Sequence, residues 1–416
     1  MLRCIKTDFE VRTAPFETGQ VNRRGTTTTM SRIVIEQDGV QRKASASFFR
    51  GETTNFYPSD RSLERSSVVS EYLVKGWMPA ERFVTKDTPI VAFGSCFAEN
   101  ISRYLHKAGF NVLTKRDDLA YVSKMGDGMV NTFAIRQQFE WAWLGKTPQA
   151  ELWHGYDASQ FGYDEAVRLR TRALFDEAEM FIITLGLSEV WYDEPTGEVF
   201  WRAVPKDRYD PARHKFRVTS HAENLENLQA IHALIRAFRP DAAILFTVSP
   251  IPLTATFRPV NCLSANAVSK AILRSAADEF FRCSAPNDPR LFYFPSYDIV
   301  MHGFNHQWRD DRRHVYSHVL DFNMKVFERY YCRTALDDEG LLASFRYAQR
   351  QDRLIGQLGH AAVTLGEAPT ADERKAARVA LAKRKRELER AKIREERRQQ
   401  RIAARRAAAG TAIAAE

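Results

Sequence analysis

From about residue 85 onward, short and almost continuously apolar runs alternate with amphipathic stretches, and this alternation restricts the fold more than any other feature of the chain. Pro89-Ile90-Val91-Ala92-Phe93, Asn111-Val112-Leu113, Met180-Phe181-Ile182-Ile183-Thr184-Leu185, Ala243-Ile244-Leu245-Phe246-Thr247-Val248 and Leu291-Phe292-Tyr293-Phe294 read as strands. Between them, apolar residues recur at three- and four-residue spacing, which predicts helices over 97–108, 131–144, 163–177, 221–238 and 265–282. Strands that offer apolar residues to both faces must be covered on both faces, so the pattern predicts a parallel sheet in a three-layer α/β/α domain over 85–335. Helices near 316–332 and 338–357 would close it, with 336–370 as closing helix and linker. In such sheets ligands bind beyond the carboxyl ends of the strands, so the loops after these runs are where chemistry belongs.

The chain has 416 residues, of which 44% are hydrophobic and 12% aromatic, enough for a sizeable core. No apolar run approaches the roughly 18 residues that span a bilayer, and Met1-Leu2-Arg3-Cys4-Ile5-Lys6-Thr7-Asp8 lacks the apolar stretch of a secretory signal. Five scattered cysteines (Cys4, Cys96, Cys262, Cys283, Cys332) make neither a disulfide framework nor a paired zinc motif, and the expectation is a reduced, cytoplasmic protein.

The net charge of +9 is uneven. Residues 371–416 hold 15 Lys/Arg against 7 Asp/Glu, a net of +8, which leaves 46 basic and 45 acidic residues, a net of +1, over 1–370. Charge therefore says nothing about what the folded body binds. The 371–416 segment has no aromatic residue and 14 alanines, a composition that favours a charged helix, with Glu387/Arg390, Glu389/Lys392 and Glu395/Arg398 at supporting i,i+3 spacing. Leu381, Leu388, Ile393 and Ile402 do not keep a heptad, so the segment reads as a solvated helix or as a polyanion contact to RNA or acidic membrane. At the other end, 1–84 is polar and weakly periodic and reads as a partly disordered arm. Met30, after Thr26-Thr27-Thr28-Thr29 and before the strand-like Ile33-Val34-Ile35, is a candidate alternative start.

Two loops carry the chemistry. Gly94-Ser95-Cys96-Phe97-Ala98 follows the first strand and runs directly into a helical pattern, which puts Cys96 at a helix N-terminus, where unpaired amides and the dipole favour a thiolate. Small residues that merely let the turn pack closely would look the same. After the last strand comes Trp308-Arg309-Asp310-Asp311-Arg312-Arg313-His314, in which an Asp three residues before a His can accept the Nδ1 proton and aim the other ring nitrogen at a nucleophile. Arg309, Arg312 and Arg313 could hold an anionic substrate or depress the Cys96 pKa, although solvated charges are the simpler reading. His302, His306, His314 and His318 form two i,i+4 pairs, but Gly303 and Asn305 lie between them and no cysteine matches, which favours loop histidines over a metal site. Trp191, Trp201 and Arg202 could wall a sugar subsite or, for the tryptophans, simply fill core.

Gly94-Ser95-Cys96-Phe97-Ala98 spells the signature of the GSCFA family, and the chain resembles that family over roughly 85–335 through Asn131-Thr132-Phe133, Thr184-Leu185-Gly186-Leu187-Ser188-Glu189-Val190-Trp191, Thr247-Val248-Ser249-Pro250-Ile251-Pro252-Leu253 and Tyr293-Phe294-Pro295-Ser296-Tyr297. The family is similar to the SGNH or GDSL-type hydrolases, which implies a flavodoxin-like sheet. Laid on their Gly-Asp-Ser-Leu block, Cys96 rather than Ser95 takes the nucleophile position, and Asp311 and His314 fall on their Asp-x-x-His, which implies a Cys96, His314, Asp311 triad. Ser188 stands where an oxyanion-hole Asn is expected, and Gly126, Gly128 or Asn131 where a Gly is; Ser95, Gly128, Asn131, Ser188 and Glu189 make up the implied oxyanion and substrate-binding set. A Ser hydroxyl is a shorter, single donor compared with an amide.

The resemblance implies hydrolysis or transfer of an ester or thioester acyl group, with a carbohydrate or other small molecule as the acyl substrate. It implies no resident cofactor and no metal; an acyl-coenzyme A would enter as a donor. A rival reading is a non-catalytic binding module recruited to RNA or membrane by the basic 371–416 segment. Because that segment has nothing to bury, its deletion is expected to leave the melting temperature unchanged in a thermal melt; a large fall would show that it packs on the body.

Overall fold

The structure is a computed structural model that describes residues 54–116, 119–126 and 128–359, together with the backbone of the strands Gln20–Val21, Thr27–Thr28, Ser31–Gln37 and Val40–Ala46. The 371–416 segment and Met30 lie outside the described residues. The chain divides into two compact units, Met1–Gly76 and Trp77–Glu416. In the first, where an arm is expected, Ser31–Gln37 pairs antiparallel with Val40–Ala46, so Ile33-Val34-Ile35 is one arm of a hairpin. Ser59 caps the short helix Asp60–Leu63 through a reciprocal bond pair with Ser62.

The second unit is built on four parallel strands: β1 (Ile90–Phe93), β2 (Met180–Leu185), β5 (Ala243–Val248) and β6 (Leu291–Tyr293), in the order β1-β2-β5-β6. β1, β2 and β5 are buried at every position, as their unbroken apolar sequence requires. A separate antiparallel hairpin, β3 (Glu189–Asp193) with β4 (His214–Val218), projects beyond the end of β2.

The helices are α1 (Cys96–Lys107), α2 (Thr132–Leu144), α3 (Glu165–Glu177), α4 (His221–Phe238), α5 (Cys262–Ser284), α6 (Ser296–His302), α7 (Ser317–Tyr331) and α8 (Asp338–Leu358). Most begin at a side chain that accepts a free amide: Ser95, Asn131, Asp164, Ser220, Asn261 and Asp337. One core cluster joins α2 to α5 with Val91, Phe93, Phe181, Ile183, Ile244 and Phe246, which is every second residue of the strands. The intervening residues, such as Ala92, Ile182 and Leu245, are equally buried and face the opposite layer, where α1, α6 and α7 lie with α8 packed on α7. The fold is thus α/β with a three-layer arrangement.

One predicted strand shrinks. Val112 makes a single parallel bridge to Ile90, after which Leu113–Lys115 turns into a 3-10 helix. The bridge still matters, because it puts the chain on the outer side of β1 before it returns to form β2 on the inner side. The reversal makes the carboxyl ends of β1 and β2 the switch point of the sheet, where doubly wound folds hold their ligands.

β1 leaves the sheet at Gly94 with φ +131°, and a Cβ there would lie 2.2 Å from the Thr184 carbonyl oxygen. Both the conformation and the contact require glycine. Gly94→Ala is expected to destabilise the fold by about 3 kcal/mol, given the strain and the displaced β2 backbone. Urea unfolding of the two proteins measures the difference.

Candidate active site at the switch point

Cys96 is the first residue of α1, and it is partly exposed. Ser95 is buried and its hydroxyl accepts the Phe97 N–H at 3.2 Å, so the serine that precedes the thiol serves as the helix cap. The thiol therefore sits at the positive end of a three-turn helix.

The segment after a short helical turn, Tyr121–Lys124, crosses the ends of β1 and β2 and ties them together. The Gly94 N–H donates to the Gly126 carbonyl at 2.5 Å, and the Gly186 and Leu187 amides donate to the Val130 carbonyl at 2.8 and 3.2 Å. Two residues of the implied binding set have their polar groups engaged here. The Gly128 amide donates to Met125 O at 2.8 Å. The Asn131 side chain caps α2 through Ala134 N and donates to the Phe200 and Trp201 carbonyls, so both ends of its amide have structural partners.

The block after β2 is different. Ser188 is buried, its N–H donates to Ser269 Oγ at 2.8 Å, and its own hydroxyl has no partner among the described residues. Glu189 is buried beside it; one carboxylate oxygen accepts from Thr256 Oγ1 at 3.0 Å and the other has no partner among the described residues. Unpaired buried groups of this kind are costly unless a ligand or water completes them.

The geometry of this edge rests on a residue the sequence reading passed over. Lys270 of α5 is 1% exposed, and its ammonium donates to Gly186 O at 2.6 Å and Ser249 O at 2.8 Å, so it links the ends of β2 and β5. Burial pushes it down to about 7. The available signal was a lysine on the helix face shared by Ala265, Ser269, Leu273, Ala276 and Ala277, where the spacing calls for a small or apolar residue.

Asp311 and His314 lie at the tip of a small hairpin closed by the Trp308–Val315 bridge and by Arg309 N–H to His314 O at 2.8 Å. The Arg313 and His314 amides both donate to Asp311 Oδ1 at 3.0 Å, and His314 Nδ1 bonds Oδ2. These bonds, led by the His314 amide, hold the Asp311 carboxyl well below the usual carboxylate range. With Nδ1–H given to Asp311, Nε2 of the neutral ring is left as the basic nitrogen. Asp352 of α8, 5% exposed, accepts the Asn305 and His306 amides at 3.1 and 2.7 Å and so steadies the loop from behind.

α1 and α7 carry the two loops to the same edge. The Tyr331 carbonyl at the end of α7 accepts the Phe83 and Val84 amides just before β1, so α7 ends at the amino edge and begins at the carboxyl edge. Tyr104 of α1 donates to Glu328 of α7 at 2.5 Å. Stepping back from that bond by about 12 Å along α1 and about 16 Å along α7, at 1.5 Å per residue, leads to Cys96 and to Ser317, close after His314.

The chain matches the model of the GSCFA family over residues 89–327, more than half its length. It belongs to the GSCFA family. No curated relative and no solved structure matches it. In this GSCFA protein the histidine pairs straddle helix ends: α6 stops at His302 and α7 starts at Ser317, with His306 and His314 in the loop between. Among the described residues no group of three His, Cys, Asp or Glu side chains is placed to hold a metal, and no helix is long and apolar enough to cross a membrane. Trp201 is fully buried and stacks on Trp153 at 4.8 Å, so it is core; Trp191 packs edge-on against Phe257 and Tyr209.

Lys270→Met should leave Gly186 O and Ser249 O unpaired at a cost of about 2 kcal/mol. An unfolded lysine titrates near 10.4, so between about pH 7 and pH 10 the unfolded chain holds the extra proton and this group makes stability rise with pH. Denaturant titrations across that window should show the rise in the wild type and its loss in Lys270→Met.

Proposed function

We propose that this GSCFA protein transfers an acyl group through Cys96, as an ester hydrolase or acyltransferase. The observation that carries the reading is the Asp311–His314 pair, hydrogen-bonded through Nδ1 on a loop that opens on the same sheet edge as the helix N-terminus bearing Cys96. An oriented imidazole and a thiol favoured as thiolate are the two parts a nucleophilic acyl transfer needs. The match of the family signature around Cys96 and the order of the sheet, which agrees with a flavodoxin-like SGNH-type fold, support the same reading.

In this scheme His314 Nε2 takes the proton of the Cys96 thiol, the thiolate attacks the acyl carbonyl carbon, and the carbonyl π electrons move onto oxygen. When the tetrahedral adduct collapses, the bond to the leaving alkoxide or thiolate breaks and the His314 imidazolium supplies the proton it leaves with. His314 then removes a proton from the acceptor hydroxyl, whose oxygen attacks the thioester and releases Cys96. Water as acceptor makes the reaction a hydrolysis; a sugar hydroxyl makes it a transfer. Asp311 keeps the imidazole in the required tautomer and faces the positive charge that forms on it. Ser188, whose buried hydroxyl has no partner among the described residues, is the candidate to meet the developing oxyanion, at the strength of one donor.

The test is the pH dependence of iodoacetamide labelling at Cys96, read by peptide mass spectrometry. An apparent pKa below the roughly 8.5 of a free thiol, rising in His314→Ala, is expected. Cys96→Ala should then lower acyl transfer from an aryl ester by about a thousandfold or more. An ordinary Cys96 that ignores His314→Ala would overturn the reading in favour of a non-catalytic module.

A further inference from the structure

Beside α1 lies a cleft of about 370 Å³, lined by Ala92, Glu99, Thr114, Lys115, Ser123, Lys124, Gly126 and Tyr156 among others. Two of its lining residues belong to the segments around Cys96: Glu99 lies in the first turn of α1, and Gly126 is the residue whose carbonyl accepts the Gly94 amide. Its polar equipment is incomplete. Thr114 is 7% exposed, yet its hydroxyl has no hydrogen-bond partner among the described residues, and the buried Ser123 hydroxyl has none either. At the rim, the Arg202 guanidinium lies 3.8 Å over the Tyr156 ring, with Nη1 buried and unpaired among the described residues. Nη1 comes close to Gly128, where a Cβ would stand 3.4 Å from it.

Among the described residues of the lining the charges do not cancel. Among the described residues Glu99 is the one carboxylate in the lining, and both its oxygens are taken by Lys115 at 2.6 and 2.7 Å, with Arg103 a further 3.7 Å contact. Lys124 and Arg202 have no ion-pair partner among the described residues. Two buried hydroxyls that can each donate, and a planar guanidinium and an ammonium without a counter-charge among the described residues, together suit a group that only accepts hydrogen bonds and carries negative charge. The positive end of α1 adds to the same preference.

We propose that this cleft seats an anionic oxygen group of the substrate, a phosphate or a carboxylate, while the acyl carbon is presented to Cys96. The inference rests on the reading of Cys96 as nucleophile for its role, though not for its existence as a binding site. Thr114 and Ser123 donate to the anion from the floor, and Arg202, held flat by Tyr156, closes on it from the rim. A neutral ester fills the nucleophilic centre but leaves this cleft unmatched, so the protein discriminates by charge at a distance from the bond it breaks.

Inorganic phosphate is the first probe, titrated into the full chain at constant ionic strength and followed by its phosphorus line width. Saturable broadening is expected in the wild type, with affinity about tenfold weaker in Arg202→Gln, the size of one lost charge-assisted bond, and weakened also in Thr114→Val. The basic 371–416 segment contributes equally to all three proteins. Absence of saturable broadening, or wild-type affinity in both variants, overturns the proposal. The second measurement compares iodoacetate with iodoacetamide at Cys96, using Cys283 as an internal reference. The anionic reagent should be favoured at Cys96 relative to Cys283, and the preference should fall in Arg202→Gln; the same ratio at both cysteines again overturns it. If Cys96 takes neither reagent faster than Cys283 while phosphate still depends on Arg202, the cleft stands and the nucleophile reading falls.

Discussion

The approach of one backbone to another at Gly94 governs the carboxyl edge of this protein. β1 turns out of the sheet within van der Waals distance of Thr184, with no room for a side chain. Because the turn is that tight, the next two residues reach a helix cap and a helix start without an intervening loop. The same turn exposes the Gly94 amide to Gly126, which brings the crossing segment down onto both strand ends. A looser exit would move Cys96 and the crossing segment together, since the turn that starts α1 is bonded to that segment through Gly94 and Gly126.

A second tie acts across the sheet. Lys270 joins the ends of β2 and β5 with a polar nitrogen where the core elsewhere uses aromatic and aliphatic groups. Carbonyl groups at strand ends have no ladder partner, and in a buried edge something must meet them. A hydroxyl could serve one; the ammonium reaches two at once and so fixes the spacing between the Gly186 and Ser249 loops. Ser269, its neighbour on α5, holds the Ser188 amide, so one helix turn sets the backbone of the block that follows β2.

The strands and long helices were legible because each is a purely local pattern. Met180–Leu185 and Ala243–Val248 are unbroken apolar runs, and the seven long helices outside α6 keep a clear three- and four-residue period. The stretch at 111–113 reads as a strand, but it is short and gives way to a 3-10 turn at Leu113, so that only Val112 pairs. The β3–β4 hairpin was missed because its partners, Glu189–Asp193 and His214–Val218, are about twenty residues apart and mix charged with aromatic residues. At the site, the Asp311–His314 bond could be anticipated, since both groups lie on one short loop. The roles of Asn131 and Gly128 could not, because their partners at Phe200, Trp201 and Met125 are set by the folded crossing segment. Lys270 and Arg202 were visible as residues, but the burial of Lys270 and of Arg202 Nη1, and the lack of a counter-charge for either among the described residues, are tertiary facts.

The loop that carries Asp311 and His314 is held from behind by Asp352, which belongs to α8. The segment that defines the family ends at residue 327, before α8 begins. What marks the family and what backs the start of this loop are therefore encoded in different stretches of the chain. A version of this protein cut at the family boundary would keep every signature residue yet lose the carboxylate that holds the Asn305 and His306 amides. Relatives that share the signature but end differently would need some other group to hold those two amides, and the stiffness of that group would set how firmly the start of their loop is backed.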